Sequence, residues 1–247
     1  MKMNSKLARN QGLAALVSGL TYFVILCLSI YAASRNSLID YKISPYIIGS
    51  EPIDFFFPLF VSVPFAWMTY FMRKDYFTEN VLARYGGRKY IAGYFALTFA
   101  ACFLFVFAAN LGAVIFSVSL NIPNDGHEKM SLAAYVLGQM QMRNPILFGL
   151  LWAAKKALLG VMICIFSADI AWHVRNFFLA MLIPYIYVIL ENFVTAILGI
   201  PRISLTSSIV VDRLQPSPAD LSLQMIGIAV FACVILGGHF WMKKEYE

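Results

Sequence analysis

Three ionisable side chains stand inside long apolar runs: Lys155 and Lys156 in Pro145–Trp172, and Glu191 in Asn176–Ile200. A charge in hydrocarbon is costly, and it is kept where it pairs, lines a path or meets another helix. Measured from the outer ends of their runs at Pro145 and Ile200, Lys155 lies ~15 Å down and Glu191 ~13.5 Å. The link between the runs holds His173 and Arg175 and is short enough to force a helical hairpin. Lys155 or Lys156 is therefore expected to neutralise Glu191 across two antiparallel helices. Such a pair could lock the hairpin, or belong to a polar path or a dimer interface. Asp169, near the other end of the first run, is expected to meet Arg175 or His173.

Patterns for catalysis are weak. His127-Glu128 does not extend to H-E-x-x-H and sits behind a Gly turn, which argues against a zinc protease. Neither a G-x-S-x-G elbow nor a G-x-x-x-x-G-K-[ST] phosphate loop occurs. Asp169 and Glu191 fall in different runs at different depths, unlike an aspartyl dyad. His127, His173 and His239 scatter over three locations and read as packing or interfacial residues. Cys27, Cys102, Cys164 and Cys233 each occupy a separate apolar run without a C-x-x-C pair, so neither a disulfide framework nor a zinc site is expected. The sequence assigns no catalytic residue, metal or cofactor to this chain.

The elements that position these charges follow from composition. Hydrophobic residues make up 60% of the chain and charged ones 13%, with a mean hydropathy of +0.72. Soluble domains carry about 25% charged residues, so the expected class is an all-α integral membrane protein. The first apolar run, Gly12–Ala33, has 22 residues. That exceeds the ~7–15 of a signal-peptide core, and it is followed by Ser34-Arg35-Asn36 instead of a small-residue cleavage pattern. The net charge of +6 comes from basic residues at the ends of runs, not from a patch interleaved with aromatics. Their expected partners are lipid headgroups, not nucleic acid.

The expected spans, within a single transmembrane domain, are 12–33, 55–72, 90–119, 145–172, 176–200 and 221–242. Span 2 can kink at Pro58 and Pro64. Met1–Gln11 reads as a basic lead-in at the interface, Ser34–Asp54 as an outer loop and His127–Asn144 as an outer segment. Pro201–Asp220 is a polar outer stretch that can hold short helices. Six spans place both termini on one side. Eleven basic residues fall there or on the same-side loops: Lys2, Lys6, Arg9, Arg73, Lys74, Arg84, Arg88, Lys89, Arg175, Lys243 and Lys244. Six fall opposite: Arg35, Lys42, Lys129, Arg143, Arg202 and Arg213. The bias puts the termini in the cytoplasm.

The same-side loop Arg73–Lys89 carries five of those basic residues in seventeen positions. Its middle, 74–86, reads as a short helix with Phe77, Val81 and Tyr85 on one face. Asp75 and Glu79 lie at its start and Arg84 at its end, the order that suits the helix dipole. Gly86-Gly87 supplies the stop. A short amphipathic helix on the cytoplasmic tip of two spans suits a soluble partner. A solvated loop that only sets orientation is the alternative.

This organisation resembles the permease subunits of bacterial ABC-2-type transporters, in particular the small six-span type of Gram-positive bacteria. Val81-Leu-Ala-Arg-Tyr-Gly-Gly-Arg-Lys-Tyr90 is similar to the R-Y/I-G-S-R-K string that follows the coupling helix in that family, with Gly87 in place of Ser. The segment between spans 3 and 4 is longer than in the family. The resemblance implies six spans with cytoplasmic termini, a coupling helix between spans 2 and 3, and short outer helices between spans 5 and 6. It further implies an exporter of an amphipathic peptide, drug or lipid-like substrate in a bacterial plasma membrane. A second permease subunit and a separate ATP-binding subunit would complete it, with ATP and Mg on that partner. Tyr76, Phe77 and Tyr85 would then anchor the coupling helix, with Asp75, Glu79 and Arg84 orienting it and Val81 on its apolar face. Two other classes remain open: a non-transporting scaffold or sensor that docks a cytoplasmic partner, and an intramembrane enzyme using Glu191 or Asp169.

Overall fold

A computed structural model describes residues 5–35, 41–74, 88–120, 136–174, 176–211, 213 and 220–244. Among the described residues there are helices and turns and no strand. In chain order the helices are α1 (Ser5–Ala33), α2 (Ser44–Asp54), α3 (Phe57–Lys74), α4 (Arg88–Ser119), α5 (Gly138–Arg143), α6 (Pro145–His173), α7 (Phe177–Ile197), α8 (Leu205–Ile209) and α9 (Asp220–Lys244), with a 3₁₀ turn at Pro201–Ile203. Five of these are long and apolar enough to cross a membrane, and six spans result if α2 and α3 form one bent span. These are the helices of a multi-pass membrane protein.

Local chemistry sets the helix ends. Pro145 occupies the first turn of α6, where its missing N–H costs nothing. Asn176 caps α7 by accepting from Phe178 N at 2.9 Å. Gly199 ends α7 with φ +72°, a conformation that needs glycine. There Gly199 N donates to Ala196 O at 3.1 Å and Ile200 N to Thr195 O at 2.9 Å, so the last carbonyls are satisfied. Hydroxyls inside the long helices bond back one turn, as Thr69 does to Phe65 O and Thr98 to Tyr94 O, both at 2.9 Å. These hydroxyls are thereby paired within their own helices.

α6 is the central helix. It packs on α3, α4 and α7, and 50% of it is buried against 17% of α7. Phe148, Trp152, Ala157 and Ile163 place its apolar contacts in one continuous core with Tyr22, Leu26, Phe57, Val61, Val106 and Val114. α7 contacts α6 across the short link, as a hairpin requires.

Two expectations change. The stretch Ser34–Asp54, read as an outer loop, contains α2, and Asp54 is buried at its end. The polar letters hid the helix because its buried stripe, Tyr46, Ser50 and Asp54 at four-residue spacing, is not an apolar one. α2 meets α3 at a bend of 53° across Phe55–Phe56. Pro58 accounts for the break: it has no N–H to give Asp54 O, and its ring crowds that carbonyl. The basic lead-in is not a separate element either, since α1 runs unbroken from Ser5. The expected coupling helix, with Asp75, Tyr76, Phe77, Glu79, Val81, Arg84 and Tyr85, lies outside the described residues.

Candidate functional site

Four helices bring polar groups to one buried point. α2 runs back along α1, where Ser29 Oγ donates to Gly49 O at 2.6 Å. Gly49 permits that approach, because a Cβ there would lie 2.7 Å from Ile30 Cα. This packing sets Asp54 level with Tyr22, whose hydroxyl donates to Asp54 Oδ1 at 3.4 Å. Lys156 of α6 donates to Asp54 Oδ2 at 2.6 Å, and neither side chain has any exposure. Its ammonium also reaches Asn110 Oδ1 at 3.4 Å and faces the Tyr46 ring at 5.6 Å. Tyr46 OH donates to the same Asn110 oxygen at 3.2 Å. Asn110 Nδ2 donates back to Val106 O at 2.9 Å, which fixes the amide orientation.

The depth of this point follows from helix rise. Tyr22 lies eleven residues before the end of α1 and Lys156 eleven after the start of α6. Both distances are ~16 Å, about half of a ~30 Å hydrocarbon core. The ion pair thus sits near mid-depth, at the bend of the α2–α3 span.

The expected pairing of Lys155 or Lys156 with Glu191 does not form. Lys156 pairs with Asp54 instead, and Lys155 donates to Gln224 Oε1 of α9 with its ammonium 3.9 Å from the centroid of the Trp152 ring. Successive residues on a helix point about 100° apart, so the two lysines face different neighbours. Equal depth along two helices leaves the direction around each helix open. Glu191 has other donors: Leu205 N at 3.1 Å and Ser204 Oγ at 3.0 Å. Its carboxylate therefore holds the start of α8, where unpaired N–H groups collect.

Around this contact the outer polar stretch folds inward, and Ser204–Val211 is buried throughout. Gln224 Nε2 donates to Ser207 O at 2.8 Å, and Arg213 Nη1 donates to Asn192 Oδ1 at 2.7 Å. A Cβ on Gly227 would collide with Ile203 O, so α9 packs directly on the 3₁₀ turn. The Arg213 guanidinium lies 5.4 Å from the centroid of the Phe55 ring, tying this stretch to the bend.

Asp169 meets His173, as expected: Nδ1 is 3.9 Å from Asp169 Oδ1 and 2.8 Å from its backbone oxygen. His239 of α9 also reaches Asp169 Oδ1, at 3.0 Å. Arg175 lies outside the described residues. Among the described residues no group of three His, Cys, Asp or Glu side chains is placed to hold a metal ion, and all four cysteines are free.

Sequence reasoning passed over Asp54, Tyr22, Tyr46, Asn110 and Gln224. The available signal was the Tyr46, Ser50, Asp54 stripe, followed four residues after Asp54 by Pro58. Comparison with family models, with curated proteins and with solved structures found no match to this chain.

Proposed function

We propose that this chain is the membrane subunit of an ATP-driven ABC-2-type exporter, with six spans and both termini in the cytoplasm of a bacterium. The observation that carries the reading is the cationic stretch Arg73–Lys89 with its Val81–Tyr90 string, set between two long apolar helices, α3 and α4. Counting α2 and α3 as one bent span supports six crossings, and the excess of basic residues on the terminal side supports the orientation. The short helix α8 between α7 and α9 lies where the resemblance implies an outer helix. Force would enter through the 74–86 helix from a separate ATP-binding subunit that carries ATP and Mg. The mainly apolar spans suit an amphipathic peptide, drug or lipid-like cargo, moved by a pair of permease subunits.

Gentle solubilisation of native membranes, affinity capture of the tagged chain and identification of what co-purifies test this reading. The expected result is a P-loop ATPase that is lost in the Phe77→Ala plus Tyr85→Ala variant. Capture of a partner without a nucleotide site, or of none, would replace the exporter with the scaffold reading.

A further inference from the structure

We propose that Lys155 anchors an anionic-lipid site at the junction of α6 and α9. Its ammonium takes the phosphate or carboxylate head of an acyl-chain amphiphile, and the chain lies along exposed leucines of α6. Three observations carry this. The first is an unmatched charge. An ammonium has three N–H donors. Lys155 gives one to Gln224 Oε1 and rests 3.9 Å from the centroid of the Trp152 ring, and among the described residues it meets no carboxylate. Gln224 has no second acceptor to give, and its Nε2 is spent on Ser207 O at 2.8 Å. A lysine within a span is kept where it pairs or serves a polar contact. Lys156 has Asp54 for that purpose, whereas both groups that hold Lys155 are neutral.

The second is an indole N–H. Trp152 is 1% exposed, and among the described residues its Nε1 has no acceptor. A buried indole N–H usually finds one. This one belongs to the ring that the ammonium faces. Donors therefore collect at this point without an anion to answer them. An ionised carboxylate or phosphate supplies at least two acceptor oxygens and no donor.

The third is the border on which Lys155 stands. Steps of about 100° per residue put Leu151 and Leu158 on one side of it and Trp152 and Leu159 on the other. The leucines of the first side are 43% and 60% exposed, and both residues of the second are 1% exposed. Lys155 itself is partly buried, so its ammonium lies where the core meets the lipid-facing surface. Gln224 is four residues into α9, ~6 Å from its start, which holds the ammonium near the end of the bundle where headgroups meet chains. A free inorganic anion would use the donors and leave the leucines bare. A zwitterionic lipid would cover the leucines but bring a cation of its own beside the ammonium. An anionic head on an acyl chain answers both, whether or not an ATPase docks elsewhere.

Trp152 is the reporter for the test. Trp67, Trp172 and Trp241 are replaced by Phe, and the chain is reconstituted in phosphatidylcholine bilayers. Quenching of Trp152 is then compared for chain-brominated phosphatidylglycerol, chain-brominated stearate in alkaline buffer and chain-brominated phosphatidylcholine at equal mole fraction. One or both anionic amphiphiles should bind about fivefold more tightly than phosphatidylcholine, the weight of one lysine near an anionic headgroup. That excess should vanish in Lys155→Gln. An excess for phosphatidylglycerol alone assigns a phospholipid phosphate, and one for stearate alone a carboxylate amphiphile. No excess for either, or an excess that survives Lys155→Gln, overturns the site. Should Lys155→Gln not fold, Lys155→Met takes its place, and absence of an excess in the wild type overturns the site without any variant.

Discussion

At the scale of single residues, the energetics turn on who is left unpaired. Lys156 and Asp54 have no solvent to fall back on. Lys156→Met alone strands the Asp54 carboxylate, and a loss of about 3–5 kcal/mol is expected. Adding Asp54→Leu removes the stranded charge and should recover most of that loss, because two apolar side chains pack without desolvation. Thermal unfolding of the purified protein in one detergent reads both, and a double variant as unstable as the single one would refute the argument. Lys155 answers to a different rule. It sits over the Trp152 ring and donates to Gln224, so its ammonium rests on a π face and an amide, and among the described residues it meets no carboxylate.

At the scale of elements, glycines and prolines decide how closely helices approach and where they break. Gly49 lets α2 touch the α1 backbone, so Gly49→Val must push the two helices apart. Overpacking of this kind costs about 1–3 kcal/mol, and it would also pull Asp54 away from Tyr22. A lowered unfolding midpoint for Gly49→Val is expected, and an unchanged one would mean that α2 tolerates displacement. α8 is too short to hold itself together in isolation. It depends on Glu191 at its start, on Ser204 accepting from Thr206 N at 3.1 Å, and on Gln224 gripping Ser207 O. Glu191→Ala leaves Leu205 N and Ser204 Oγ without this partner. A loss of about 1–3 kcal/mol is expected by the same unfolding measurement.

At the scale of the whole molecule, the arrangement is a bundle whose polar groups are gathered where helices meet. α6 lies at its middle, with Lys156 turned to α2 and α4 and Lys155 to α9. One pair of adjacent residues thus ties two different sets of neighbours to the same helix. The proposed orientation is checked by single cysteines placed at Lys2 and Tyr246 in a cysteine-free chain. Membrane-impermeant thiol reagents should label both only after permeabilisation, and labelling of either in intact cells would reverse the topology. The aromatic cluster of Tyr70, Phe71, Phe177 and Phe178, with centroids 5.5–5.7 Å apart, marks the opposite end of α3 and α7 from the bend. It suits an interfacial belt, where a ring can meet both lipid and headgroup.

By itself the sequence determined what depends on neighbours along the chain. Apolar length marked the helices that became α3, α4, α6, α7 and α9 within a few residues, and α1 except for its first turns from Ser5. Pro145 marks the end it occupies, and the short link made α6 and α7 a hairpin. Depth along a helix is linear in residue number, so Lys155 and Glu191 were placed at similar levels. Direction around the helix is another matter, because it is set by which neighbour packs where. Only the tertiary structure turned Lys156 toward a carboxylate 102 residues away and brought Asn110 and Tyr46 to the same point. It also made a helix of a stretch whose buried stripe is polar. Such a stripe has no apolar period to read, and its chemistry becomes legible only when the residues that answer it arrive from other helices.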